Sequence, residues 1–273
     1  MATGLAEIRR GPGLKDRHFS DTAGLRLHKL NQADRFMYED FKGGMPMLTA
    51  DIGGGAATTT GINVLQTAGR NLFELAPIGT QTVMYPALGT GGMDFKGDDG
   101  AAGSDGFELT CGITAQSRMA FTAGTDAFYT KFKFSVADQS GMAVMYVGFR
   151  LAEAYQATIG GYDTYGAIGI NRVNAATAAD IVIADELDAD AGAVVDTTDN
   201  YTEGDDLTLG VYVDAGGNFR YTINGAAPTT TQAFRATAGD VLVPFILTLD
   251  HTDTPGATLF KEWEVGLLDA NVR

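Results

Sequence analysis

The chain has 273 residues, 45% hydrophobic and 19% charged, with 36 glycines against 7 prolines and a formal net charge of −15. That apolar fraction supports one large core and excludes wholesale disorder, and the glycine excess without a proline excess excludes collagen-like or Pro-rich linker architecture. One cysteine, Cys111, and three histidines, His18, His28 and His251, exclude a disulfide framework and a multi-cysteine zinc site.

Residues 1–45 hold eight Lys/Arg against six Asp/Glu, which leaves a net charge of −17 on the remainder. A body of that charge repels nucleic acid, so no nucleic-acid partner is expected. Neither a membrane span of roughly 20 apolar residues nor the apolar core of a secretion signal is present, so cytoplasmic synthesis is expected. To about Ala76 no hydrophobic period is sustained. Gln32–Phe41 reads as a short helix and residues 51–61, with three consecutive glycines, as a linker. Residues 1–77 are therefore expected to form an extended, largely irregular N-terminal arm ordered by a partner.

From Ile78 onward the pattern is one of short β-runs. Phe128, Thr130, Phe132, Phe134 and Val136 alternate with Tyr129, Lys131, Lys133 and Ser135, the period of a strand with one buried face. Leu207, Leu209, Val211 and Val213 repeat it, and Phe219, Tyr221 and Ile223 follow after the turn cluster at 214–218. Asn224-Gly225 supplies a two-residue hairpin signal. Val241, Val243, Phe245, Leu247 and Leu249 predict another buried face, with Pro244 opposite and hence an edge or bulge position. A last strand is expected over Leu259 to Leu268. Residues 78–273 thus read as an all-β, antiparallel sandwich.

The stretch from Asp206 to Gly225, with Leu242–Leu249 and Lys261–Gly266, resembles the concanavalin A-like lectin/glucanase (laminin-G-type) jelly roll. Within that superfamily, Gly124–Phe134 and Met145–Phe149 are similar to virion structural proteins of tailed bacteriophages. The resemblance implies a structural role without enzymatic activity or cofactor: a capsid decoration or cement protein on the virion surface. Its partner would be the major capsid protein, met by the arm, and the body would form a trimer or other lattice homo-oligomer. Arm contacts would come from Arg9, Arg10, Arg17, Leu25, Leu27, Phe36, Tyr38 and Phe41. The alternative is a carbohydrate-binding adhesion module, or a tail or vertex component, that contacts host glycans through Tyr155, Tyr162, Tyr165 and Tyr201.

Chemistry-bearing clusters are sparse. Glu186, Asp188 and Asp190 would share one face of a continuing strand but lack the aromatic neighbours of a glycosidase. The nine acids of residues 185–206 offer Asp185, Glu186, Asp188 and Asp190 as weak calcium candidates, in no fixed ligand order. Glu262 and Glu264 flank Trp263 and are expected to be an exposed pair. Cys111 has no histidine nearby and reads as an inert thiol, and His251 as a turn residue.

Overall fold

The computed structural model describes residues 36–41, 47–48, 52–53, 63–66, 72–78, 83–89, 91–98, 105–117, 119–137, 142–156, 158–171, 179–250 and 258–268. Its strands in chain order begin with β1 Phe36–Glu39, β2 Met47–Leu48, β3 Ile52–Gly53, β4 Asn63–Gln66, β5 Leu72–Ile78, β6 Val83–Gly89, β7 Gly92–Asp98, β8 Asp105–Thr110 and β9 Phe121–Thr122. They continue with β10 Phe128–Val136, β11 Met142–Leu151, β12 Tyr165–Asn171, β13 Ala179–Glu186, β14 Ala193–Tyr201, β15 Leu207–Val213, β16 Phe219–Ile223, β17 Val241–Asp250 and β18 Thr258–Leu267. The only helical piece among the described residues is one 3-10 turn, Ile159–Gly161.

These strands form two antiparallel sheets packed as a jelly-roll sandwich. The front sheet runs β16-β15-β10-β18-β7-β6-β3, with β1 also on β18; the back sheet runs β14-β13-β12-β11-β17-β8-β5-β4-β2, with β9 also on β17. The chain changes sheet between β10 and β11, β14 and β15, β16 and β17, and β17 and β18, so β10 with β18, β11 with β17 and β8 with β17 pair across long stretches of sequence, while β11 to β14 follow one another as hairpins.

Alternation decides what each strand buries. On β10, Phe128, Phe132 and Phe134 are fully buried, while Lys131 and Lys133 on the other face are only half-buried. The opposing β18 inserts Trp263, whose indole N–H donates to Thr130 Oγ1 at 2.9 Å. Phe73 stacks on the indole at 5.4 Å and passes the contact on to Phe41 and Phe260, with Phe132 edge-on to Phe260 at 4.7 Å in the same core. Glu262 and Glu264 sit half-buried on the outer face, as the alternation about Trp263 requires.

Three expectations are corrected. Phe36–Glu39 is a strand, not a helix: it pairs with Trp263–Gly266 and turns Met37 inward and Tyr38 outward. A free ladder edge on β18 satisfies its backbone, and period two fits its burial better than period 3.6. Second, residues expected to belong to an arm contribute to both sheets, since β1 and β3 join the front sheet and β2, β4 and β5 the back one. Phe41 and Phe73 lie in the core itself, 1% exposed each. Third, β17 is central rather than an edge, flanked by β11 on one side and by β9 and β8 on the other. Pro244 falls between the end of the β9 ladder at Leu242 and the start of the β8 ladder at Phe245. Its carbonyl accepts from Thr110 Oγ1 at 2.6 Å on that side, so the missing N–H faces a gap in the ladder.

Candidate functional site

After β11, residues 152–156 and 158–164 form a strap on the outer face of the back sheet, where Tyr146, Tyr162, Tyr165, Ala167, Val182, Ala184, Phe245 and Leu247 make a second core with Ile159 packed against it. Arg150 is buried there against Glu108: its Nε donates to Glu108 Oε1 at 2.8 Å, and Nη2 lies 2.8 Å from the same oxygen without hydrogen-bond alignment. Nη1 donates to the carbonyls of Leu151 and Glu153, which ties the start of the strap. The Tyr162 hydroxyl donates to Glu108 Oε2, and the guanidinium lies 4.3 Å and 5.3 Å from the ring centroids of Tyr162 and Tyr155. Burial pushes the Glu108 carboxyl up, and Arg150 and Tyr162 pull it only partly back.

The tyrosines expected to contact glycans are buried, two of them, Tyr155 and Tyr162, against this network. Tyr155, Tyr162, Tyr165 and Tyr201 are 5%, 1%, 3% and 6% exposed. Tyr155 donates to Glu74, and Tyr165 packs in the second core. Tyr201 accepts from Val136 N–H at 2.8 Å and reaches the Asp205 carbonyl at 2.7 Å, pinning the end of β14 to β10. A shelf built of these four is ruled out.

The acidic candidates do not converge either. β13 ends at Glu186, and Asp188 and Ala189 take left-handed backbone, with φ of 54° and 58°, so the expected common face of Glu186, Asp188 and Asp190 does not form. No group of three or more His, Cys, Asp or Glu side chains among the described residues is placed to hold a metal. Asp185 turns between the sheets, where its Oδ1 accepts from Gln232 Nε2 at 3.0 Å, while its Oδ2, Gln232 Oε1 and Tyr221 Oη have no hydrogen-bond partner among the described residues.

Burial raises the Asp185 carboxyl to about 6. A raised acid favours the folded state while protonated, so its contribution is complete below the usual carboxylate range and is lost as pH rises through about 6. Asp185→Asn is expected to match the wild type at pH 4 and to exceed its stability by about 2 kcal/mol at pH 7, after discounting for solvent screening. Urea unfolding at the two pH values measures it; an equal difference at both would refute the assignment.

On the outer face of the front sheet, β10, β15 and β16 form a cleft of about 360 Å³ lined by Lys131, Thr208, Tyr212, Thr222, Asn224 and Gly225. Tyr129 and Tyr212 are cross-strand partners whose rings stack at 5.9 Å and 17°. Gly210 gives the cleft its floor: a Cβ there would come 2.6 Å from Thr222 Oγ1 and 3.1 Å from Tyr212 Cε2. Asn224 and Gly225 close the end in left-handed backbone, φ 50° and 83°, and Asn224 Oδ1 accepts from Thr208 N–H at 2.9 Å. Beyond Tyr129, whose hydroxyl donates to Glu264, β1 adds Tyr38, 45% exposed on the same face. Burial and then Glu262, Asp40 and Glu264 push the Tyr38 hydroxyl up to about 12.

None of the cleft residues was a candidate in the sequence, although the signal was there. The polar half of each alternation that marked β10 and β15 as strands reads Tyr129, Lys131, Lys133 and Thr208, Gly210, Tyr212. Of the expected arm contacts, Arg9, Arg10, Arg17, Leu25 and Leu27 lie outside the described residues, as does His251. Phe36 is half-buried, and Phe41 is in the chain's own core. Cys111 is a half-buried thiol whose Sγ donates to Met37 Sδ at 3.4 Å.

No protein-family model and no curated protein sequence matches the chain. Among solved structures it is similar to the carbohydrate-binding module CBM66 from Bacillus subtilis, at 10% identity over 67% of this chain and 91% of that one, TM-score 0.42. It is likewise similar to the Emp47p carbohydrate recognition domain, at 11% identity over 86% and 96% of the two chains, TM-score 0.46. The Ca2+-bound exoplasmic/lumenal domain of VIP36 is similar at 8% identity over 88% and 93%, TM-score 0.47.

Proposed function

We propose that this chain is a carbohydrate-binding module whose ligand lies in the cleft on the outer face of the front sheet. The observation that carries the reading is the pairing, in one cleft, of the Tyr212 ring, backed by the buried Tyr129, with a rim of hydroxyl and amide groups, Thr208, Thr222 and Asn224. A pyranose presents an apolar C–H face to an aromatic ring and hydroxyls around its rim, so its recognition needs both kinds of group together. The role is binding rather than turnover. Glu264 is engaged by the Tyr129 hydroxyl, and Asp206 is held by Lys133 at 2.9 Å and by Lys261. Neither is a carboxylate poised as a general acid beside the cleft.

Tyr212→Ala is expected to lower affinity for a bound polysaccharide at least tenfold while near-ultraviolet circular dichroism stays unchanged. Affinity electrophoresis against a panel of neutral and acidic polysaccharides, followed by calorimetry on the best ligand, measures this. Retention by no polysaccharide, or equal binding by the variant, would overturn the reading. A capsid-shell partner would instead have to be met by residues 1–35, because Met37 and Phe41 are consumed by the chain's own core.

A further inference from the structure

We infer that the cleft selects an anionic pyranose, a sugar carrying a carboxylate or a sulfate, with the Lys131 ammonium as its counter-charge; this rests on the carbohydrate-binding reading above. The argument starts from how the cations of this face are used. Lys133 and Lys261 both reach Asp206, so one carboxylate answers two ammonium groups. Both partners register the pairing: the hydrogen bond to Asp206 raises Lys133, and the contacts with Lys261 and then Lys133 lower Asp206.

Lys131 makes no ion pair among the described residues. Its Nζ lies 5.1 Å from the ring centroid of Tyr129 and 5.8 Å from that of Tyr212. The acid directly across the ladder from it, Glu264, is engaged by the Tyr129 hydroxyl instead. On its other side the ladder partner is Gly210, which has no side chain to offer. A positive charge is therefore held over two ring faces at the cleft wall, without a carboxylate to answer it.

That placement matters in this chain. With a net charge of −15, the protein repels anions at long range, so non-specific anion binding is disfavoured. An anionic ligand gains only where a cation meets it at contact distance. Cation–π contact with Tyr129 and Tyr212 also restricts the lysine stem, so less side-chain freedom is lost when a ligand arrives. A carboxylate or sulfate on a ring seated against Tyr212 would meet that ammonium, and the hydroxyls of the same ring would meet Thr208, Thr222 and Asn224.

The test uses matched ligands on the full chain. Oligomers of galacturonate, glucuronate and mannuronate are compared by calorimetry with their own methyl esters, which keep the ring and remove the charge, and with a sulfated galactan. The wild type is expected to bind at least one uronate or the sulfated galactan about tenfold more tightly than its uncharged counterpart. In Lys131→Met that ratio should fall to near one, and in Lys131→Arg it should persist. Preference for uronate over sulfate, or the reverse, identifies which anion the cleft takes. Equal affinity for acid and ester in the wild type overturns the anionic selectivity and leaves carbohydrate binding standing. A ratio unchanged in Lys131→Met overturns the assignment to Lys131. Binding of no acidic, esterified, sulfated or neutral glycan overturns both readings.

Discussion

Glu108→Gln is expected to destabilise the protein by about 3–5 kcal/mol, because it leaves the Arg150 guanidinium buried without a counter-charge. Both side chains are fully buried, and Glu153, the other carboxylate that acts on Arg150, gives it a hydrogen bond only through its backbone carbonyl, so neither solvent nor that side chain takes over the role of Glu108. The pair itself is a different matter. Desolvating both ions costs nearly what their attraction returns, so the double variant Glu108→Leu/Arg150→Met is expected within about 2 kcal/mol of the wild type. A double-mutant cycle by urea unfolding separates the two statements, and a Glu108→Gln variant as stable as wild type would refute the first. Arg150 also holds the carbonyls of Leu151 and Glu153. Its replacement should therefore speed hydrogen exchange in residues 152–164 even where global stability recovers.

Deletion of residues 1–45 is expected to cost far more than deletion of 1–35. The longer deletion removes β1 from the β18 edge and takes out Phe41, which stacks on Phe73 at 6.2 Å and meets Phe260 edge-on at 5.9 Å. Phe41→Ala alone should cost about 3–5 kcal/mol, the range for emptying a fully buried phenylalanine site. Thermal unfolding of the two truncations and of Phe41→Ala checks the order. Equal stability of the two truncations would mean that β1 contributes nothing to the sandwich. The shorter truncation also addresses the capsid reading cleanly, because a loss of particle association by residues 36–273 with an unchanged unfolding midpoint cannot be blamed on a broken core.

The two outer faces of the sandwich differ in a way that bears on function. On the back sheet the strap residues Ile159 and Tyr162 pack into a second core beside the buried Arg150–Glu108 pair of β11 and β8, while among the described residues the front sheet keeps a cleft at β10, β15 and β16. Aromatic residues buried in the first place serve stability. On the second, Tyr212 lines the cleft beside polar groups that a ligand can reach and Tyr38 is exposed, while Tyr129 stacks on Tyr212 from a buried position.

What the sequence determined alone was the local alternation and its turns. β10, β15, β16 and β18 fall where period two places them, and Asn224-Gly225 takes the left-handed backbone its hairpin requires. Those features depend on neighbours within a few residues, which is the range a pattern can report. The tertiary structure decided the rest. β17 carries apolar residues on both faces, with Leu242 and Ile246 in the main core and Phe245 and Leu247 in the second, so its pattern could not say which face was interior or that it lay at the centre of a sheet. Arg150 and Glu108 are 42 positions apart, and Phe36–Glu39 meets a strand more than two hundred residues away. Likewise, a tyrosine becomes a core member or a ligand platform according to whether a strap covers its face, and the covering segment lies on another strand's loop.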